Sequence, residues 1–324
     1  MTSYREAGVD LEGSQRHVET IAPSVTSTWS DRVIGGFGGF AAGVEVPSGY
    51  AHPVMMMSTD GVGTKLDLAR RGDSWQGVGF DLVAMCVDDL AAVGAAPLGF
   101  VDYMAVGSLR PDRDAAIVAS IASACGEAGC PLLGGETAEH PGVMADDAVD
   151  LAGAAMGVVE LGEQLGPDRV GAGDIVVALA SPNLRSNGFS LVRAVLGEDL
   201  DPLLGALLEP SVIYSPDVLA ALTTGAVHAA AHITGGGLPG NLSRALPPGL
   251  GMVIDTSSWH VPQIFESVAE RGVERDEMFS TFNMGVGFCL VVEPGGVGEV
   301  LAATARHSPW QVGEVVARSG VVFE

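Results

Sequence analysis

Lysine is almost missing from this chain: of its 324 residues only Lys65 is lysine. Sixteen lysine and arginine residues face forty aspartates and glutamates, a formal net charge of −24. A field of that sign repels polyanions, which excludes nucleic acid and anionic membrane surfaces as main partners. A small phosphorylated ligand stays compatible if a divalent cation and clustered backbone N–H groups offset the repulsion, so an acidic nucleotide enzyme implies Mg2+. Long hydrophobic runs are also missing, and nothing reads as a bilayer span. The opening segment MTSYREAGVDLEGSQ carries no apolar h-region, so no secretory signal is expected there and the cytoplasm is the expected compartment. Cysteine is sparse: Cys86, Cys125, Cys130 and Cys289 show no C-x-x-C spacing, which points to buried thiols and away from disulfides and zinc.

What is present is apolar periodicity and glycine, 47% and 45 residues respectively, enough for a folded chain with two cores. PVMMMSTD, PLGFVDYMAV, CPLLGG and VDLAGAAMGVVEL read as strands. FDLVAMCVDDLAAVGA and RPDRDAAIVASIASACGEAG read as helices, the second opened by Pro111 and closed near Gly126 and Gly129. GEQLGPDRVGAGD, residues 162–174, has linker composition. The expected division is therefore residues 1–170 and 171–324, both of the α/β class. Beyond the linker, DIVVALA, LGMVID, VGFCLVV and WQVGEVVA read as strands. FSLVRAVLG, SPDVLAALTTG, PQIFESVAERG and GGVGEVLAATARH read as helices, and TGGGLPGN as a loop. Sites in such folds fall at strand ends and inter-domain crevices.

Four glycine-bearing turns offer backbone N–H groups to phosphate oxygens: GGFGGF (35–40), TDGVGTK (59–65), GGETAE (134–139) and TGGG (234–237). Each is either a tight turn or a ligand loop. The first mimics a dinucleotide fingerprint, but only a short strand precedes it and neither a helix nor a ribose-binding acid follows. The second mimics a P-loop but has Leu66 where Ser or Thr belongs after the lysine. Carboxylates stand beside these turns: Asp60, then Asp81, Asp88 and Asp89 on one helix, then Glu136 and Glu139. Asp81 and Asp88 differ by about 20° of helical azimuth and Asp89 lies about 80° from Asp81. That face is either solvated or an oxygen site for Mg2+. His228 and His232, four apart, could share a helix face but lack a third zinc ligand. His232, before the TGGG turn, is either a proton donor and acceptor or a buried, hydrogen-bonded imidazole.

In order, YREAGVDLEGS, GGFGGF, STDGVGTKLDLA, GFDLVAMCVDDLAAVGAAPLGFVDYMAVG, GGETAEHPGVM, DLAGAAMGVVE, SNGFSLVR, LLEPSVIY, AHITGGGLPGNLSRALP and EMFSTFNMGVGFCLVV span almost the whole chain. Together they resemble the phosphoribosylformylglycinamidine cyclo-ligase (aminoimidazole ribonucleotide synthetase) family. The resemblance implies a two-domain ATP-binding fold, with N-terminal domains pairing into the β-barrel of a homodimer and an α/β C-terminal domain on each side. It implies ATP-dependent ring closure on a phosphorylated small molecule in purine biosynthesis: the formyl amide oxygen is phosphorylated and the amidine nitrogen attacks. It assigns ATP to Gly36, Gly38, Thr59, Asp60, Gly61, Gly63, Thr64, Lys65, Gly134, Gly135 and Thr137, and Mg2+ to Asp60, Asp89 and Glu136. It places Arg185, Ser186, Asn187, Thr234, Gly235 and Gly236 on the substrate, and gives Lys65, His232 and Asp89 catalytic parts, Lys65 facing phosphate charge and His232 moving a proton.

Four features depart from the family's usual pattern. Arg185 stands where a histidine is usual, Asp88 where VND is usual, Ala96 where an acid is usual, and the segment before GGFGGF holds only Arg32 as a cation. Arginine cannot serve as a base near neutral pH. Two other readings therefore stand beside the cyclo-ligase: a paralogue closing a related ring or activating another amide, and a non-catalytic nucleotide-binding subunit.

Overall fold

The computed structural model describes residues 11–324, so the part of YREAGVDLEGS before Leu11 lies outside the described residues. The N-terminal half runs α1 (Leu11–Thr26), β1 (Val33–Ile34), β2 (Gly43–Val44), β3 (Pro53–Gly61), α2 (Lys65–Gly72), α3 (Val78–Ala92), β4 (Ala96–Val106), α4 (Pro111–Ala128), β5 (Leu132–Glu139) and β6 (Val149–Glu160). Its four-stranded sheet has the order β3-β6-β4-β5, with β4 and β5 parallel and the other pairs antiparallel.

Period-two alternation sorts the two faces of this sheet. Val54 and Met56 on β3 and Phe100 and Met104 on β4 point at α3 and α4, where they meet Leu82, Met85, Cys86, Ile117, Ile121 and Cys125 in one core. Met55, Met57, Val101 and Tyr103 point the other way and stay exposed, Met57 at 76%. α3 and α4 cross so closely that a Cβ on Gly79 would sit 2.1 Å from the Ile121 nitrogen, which is why that position is glycine. Pro111 opens α4, and Gly129 at φ 71° closes it by donating its N–H to the carbonyls of Cys125 and Gly126.

The C-terminal half runs β7 (Ile175–Ala180), α5 (Phe189–Leu196), α6 (Leu204–Leu207), α7 (Ser215–Leu222), β8 (Val227–His232), α8 (Gly237–Leu242), β9 (Gly251–Ile254), α9 (Gln263–Ala269), α10 (Arg275–Thr281), β10 (Val286–Val292), α11 (Val297–Ala303), β11 (Trp310–Val316) and β12 (Gly320–Phe323). Its six-stranded sheet has the order β12-β9-β11-β7-β10-β8. Two elements differ from the sequence reading. VHAAAH is a strand, β8, because pairing along β10 overrides the helical preference of three alanines. The loop TGGGLPGN turns into helix α8 at Gly237, with Pro239 tolerated in its first turn.

α3 locks the two halves together through acids sealed away from water. Asp81 and Asp88 are fully buried, against the expectation of a solvated or metal-binding face. Asp81 Oδ1 accepts from Lys65 Nζ at 2.9 Å and from Ser211 N and Oγ at 3.0 and 2.6 Å. Asp88 Oδ1 accepts the N–H groups of Tyr214 and Ser215, both at 2.9 Å, and its Oδ2 takes Arg185 Nη2 at 2.6 Å. Breaking one partner of such a pair leaves an uncompensated buried charge. Lys65→Met is therefore expected to cost about 3 kcal/mol of unfolding free energy, with Lys65→Met/Asp81→Leu recovering part of the loss in chemical denaturation. A variant as stable as the native chain would show that the pair carries no such weight.

Candidate active site

The cleft forms where β3, the last turn of α3 and the end of β8 converge. Ser58 on β3 shares the helix-facing side with Val54 and Met56, and its hydroxyl donates to Asp89 Oδ2 at 3.3 Å. Asp89 is one residue beyond the buried Asp88, and the roughly 100° step of the helix turns it out of the core, leaving its side chain 46% exposed. His232 ends β8 and reaches back to Asp89 Oδ1 with Nδ1 at 2.8 Å. Asp60 stands two residues past Ser58 on the same side of β3, with Gly61 N donating to its Oδ1 at 2.7 Å. A cavity of about 340 Å3 opens beside Ser58, Asp89 and His232 and is bordered by Asn241 and Arg244.

The two open carboxylates titrate in opposite directions. Lost hydration raises Asp60, the hydrogen bond from Gly61 opposes this, and the negative charge of Asp89 adds to the rise. Burial also pushes Asp89 upward, but the hydrogen bonds from His232 and the Ser58 hydroxyl and the charge of Arg244 act against it, and Asp89 ends below its ordinary value. Two carboxylates sharing one cleft suit a divalent ion whose remaining ligands are phosphate oxygens and water. Among the described residues no group of three or more His, Cys, Asp and Glu forms a self-sufficient metal cage.

The turns predicted to bind ligand divide into two places. Gly61, Gly63 and Thr64 follow Asp60 at the cleft, and Thr64 Oγ1 meets Ser190 Oγ at 3.2 Å. Asn187 lies beside the TGGG turn, its Oδ1 3.7 Å from where a Cβ on Gly235 would stand. Asn241 Nδ2 gathers the carbonyls of Thr234, Gly235 and Gly237 and so holds the TGGG turn in shape, with Gly236 at φ 92°. Ser186 is half-buried beside Asn187. Gly36, Gly38, Gly134, Gly135 and Thr137 line a separate cavity of about 560 Å3 under α1.

Four expectations need correction. Lys65 faces no phosphate: it is 1% exposed, and its three ammonium hydrogens are taken by Asp81, the Arg185 carbonyl at 3.0 Å and the Glu209 carbonyl at 2.8 Å. Burial lowers its pKa and Asp81 opposes the fall. Glu136 does not join Asp60 and Asp89 within one chain, since β5 and β3 are opposite edges of the sheet, roughly 14 Å apart at the usual strand spacing. Arg185, at 1% exposure, is closed off from direct contact with substrate. His232 has both ring nitrogens engaged, Nδ1 by Asp89 and Nε2 by Arg185 Nη1 at 2.6 Å. His228 is on the strand too, and pairs with Asp174 at 2.8 Å.

The sequence reading missed Asp102, a lone acid inside the apolar strand pattern VDYMAV. It lines the larger cavity, and a Cβ on Gly135 would strike its Oδ1 at 2.2 Å, so the glycine makes room for the acid. Desolvation raises its carboxyl to about 7, opposed by a hydrogen bond from its own backbone. His17 closes the same cavity, with its buried Nδ1 unpartnered and its pKa lowered by burial.

Comparison with known proteins first gives the class. Residues 40–159 match the family described as AIR synthase related protein, N-terminal domain, and residues 171–324 match AIR synthase related protein, C-terminal domain. The chain is 46% identical over 334 aligned positions to the phosphoribosylformylglycinamidine cyclo-ligase of Thermosynechococcus vestitus, covering 99% of this chain and 98% of that one. It is 46% identical over 331 positions to the enzyme of that name from Anaeromyxobacter dehalogenans strain 2CP-C, covering 97% and 96%. The chain belongs to the phosphoribosylformylglycinamidine cyclo-ligase family. Among solved structures, the hydrogenase maturation protein HypE in complex with ATP shares the fold at a TM-score of 0.68 and 19% identity, covering 98% of this chain and 93% of that one. Thiamine-monophosphate kinase from Stenotrophomonas maltophilia K279a does so at 0.68 and 18%, covering 94% and 96%.

Asp102 yields a signed pH dependence. An aspartate raised from about 3.9 in the unfolded chain to about 7 in the folded one binds its proton more tightly when folded. Its contribution to stability is complete below the lower value and lost as pH rises through the upper one. Asp102→Asn is expected to flatten the fall in melting temperature between pH 4 and 7 and to melt higher than the native chain at pH 8. Parallel stability curves for the two proteins would place an ionised, hydrated carboxylate there.

Proposed function

We propose that this protein is an ATP-dependent cyclo-ligase of purine biosynthesis, converting formylglycinamidine ribonucleotide to aminoimidazole ribonucleotide in the cytoplasm. The observation that carries this reading is 46% identity to cyclo-ligases over nearly the full length of both chains. Agreeing with it, no helix among the described residues is long and apolar enough to cross a membrane. The reaction transfers the γ-phosphoryl group of ATP to the formyl amide oxygen with departure of ADP. The amidine nitrogen then attacks the activated carbon, the C–O bond breaks to release phosphate, and the nitrogen loses a proton.

Such chemistry asks the protein mainly to position two reactants and to stabilise charge on a moving phosphoryl group. Asp60 and Asp89 are the residues that would hold Mg2+, which when bound supplies positive charge against the phosphate oxygens. The N–H groups of Gly63 and Thr64 border the phosphates just past the end of β3. Ser186, Asn187 and the TGGG turn border the phosphorylated substrate from the other side. Residues to 170 make the nucleotide-binding and dimerisation domain and those from 171 the substrate-binding domain. The gap between the two sheets, after Glu160 and before Ile175, supports that division.

A homodimer belongs to this reading. The open face of the four-stranded sheet presents Met55, Met57, Val101 and Tyr103 to solvent, an apolar surface of the kind that a second copy covers. Two such sheets facing one another close a barrel and remove both open faces from water.

With formylglycinamidine ribonucleotide, ATP and Mg2+, the purified protein is expected to form ADP, phosphate and aminoimidazole ribonucleotide in equal amounts, and Asp60→Asn or Asp89→Asn to lower kcat/KM by about a hundredfold. Nucleotide binding without ring closure would refute the assignment. Sedimentation should report a dimer, and Met57→Glu a shift toward monomer; a monomeric native chain would remove the barrel.

A further inference from the structure

We infer that Arg185 fixes which nitrogen of His232 carries the proton, and that His232 consequently orients Asp89 instead of exchanging protons with a substrate. The inference deepens the cyclo-ligase reading and rests on it only where turnover is the readout. A guanidinium has donors and no acceptor. Arg185 Nη1 lies 2.6 Å from His232 Nε2, so that nitrogen must present its lone pair, and the single ring proton is assigned to Nδ1. There it points at Asp89 Oδ1, 2.8 Å away.

Arg185 has little freedom to do anything else. Its Nη2 donates to Asp88 Oδ2 at 2.6 Å and to the Val212 carbonyl at 3.0 Å, and the Tyr214 ring lies 4.9 Å from its guanidinium carbon. Its backbone is held at φ 60°, a costly conformation for a residue with a side chain, with Asn183 Oδ1 accepting its N–H at 2.9 Å. The imidazole in turn stacks on Phe288 at 5.8 Å between centroids. With both nitrogens used, His232 offers the cleft neither a proton nor a lone pair. Asp89 receives two donors, His232 on Oδ1 and Ser58 on Oδ2, and keeps its exposed side toward the cleft. Neighbours of this kind fix the direction of a carboxylate that meets a ligand.

The test separates orientation from proton transfer. His232→Asn sets an amide N–H near the place of Nδ1–H and cannot exchange protons, whereas His232→Ala removes the donor. The expected result is kcat within about tenfold of the native enzyme for His232→Asn and a loss of about a hundredfold for His232→Ala, both folded by circular dichroism. Independently of turnover, 15N NMR of the native protein should show His232 with its proton on Nδ1, and Arg185→Met should give a mixture of tautomers. Equal losses in the two His232 variants, or a native proton on Nε2, would overturn the inference. A native protein without ring closure but with the Nδ1 proton in place would instead count against the cyclo-ligase reading alone.

Discussion

Two carboxylates buried on α3 hold the rest of the molecule in place. Charges taken out of water cost several kcal/mol each unless every acceptor position is met by a donor. Asp81 and Asp88 approach that condition because Ser211, Tyr214 and Ser215 come across from the C-terminal half to donate backbone and hydroxyl hydrogens, while Asp81 Oδ2 is met by the Lys65 ion pair alone. Lys65 and Arg185 supply the two positive charges. The segment cannot move away without stranding two anions, so the halves of the chain are fixed relative to each other at that line. Asp89 inherits its position from this lock, since it is the next residue on a helix that is already anchored.

The same arrangement brings together two departures from the usual family pattern. Arg185 and Asp88, 97 positions apart in sequence, form one buried ion pair. A lone arginine at that depth, or a lone aspartate, would be strongly unfavourable. Their joint presence keeps the local charge balanced while changing what His232 sees, from a neighbour that can accept a proton to one that can only donate. In the cleft the histidine meets the carboxylate beside it, Asp89 Oδ1, at 2.8 Å.

Much of the architecture was legible in the chain. Period-two and period-3.6 apolar spacing marked β3, β4, β6 and α4, because each buries one side against a core and the pattern records that burial, while α3, buried on nearly every side, was marked by its length and apolar content. β8 was not legible: alanine at three of its six positions carries no strand preference, and only the partner strand β10 makes it one. Glycine turns were visible as turns, but which of them share a cavity depended on how the sheets are arranged. Asp102 left only a faint trace, one acid in an apolar strand.

The sequence by itself determined the family, the acidic field, the alternation of strands and helices in both halves and the set of acids and glycines that border the cleft. Those properties are carried by residue identity and local spacing, which a linear reading preserves. Tertiary structure decided which acids are available. Spacing along a helix specifies direction but not surroundings, so Asp81, Asp88 and Asp89 look alike in the chain while two are sealed into ion pairs and one opens to the cleft. Lys65 shows the same limit: its place beside a glycine-rich acidic turn suggested phosphate, and a carboxylate sixteen residues away, with two carbonyls from the other half of the chain, claimed its charge.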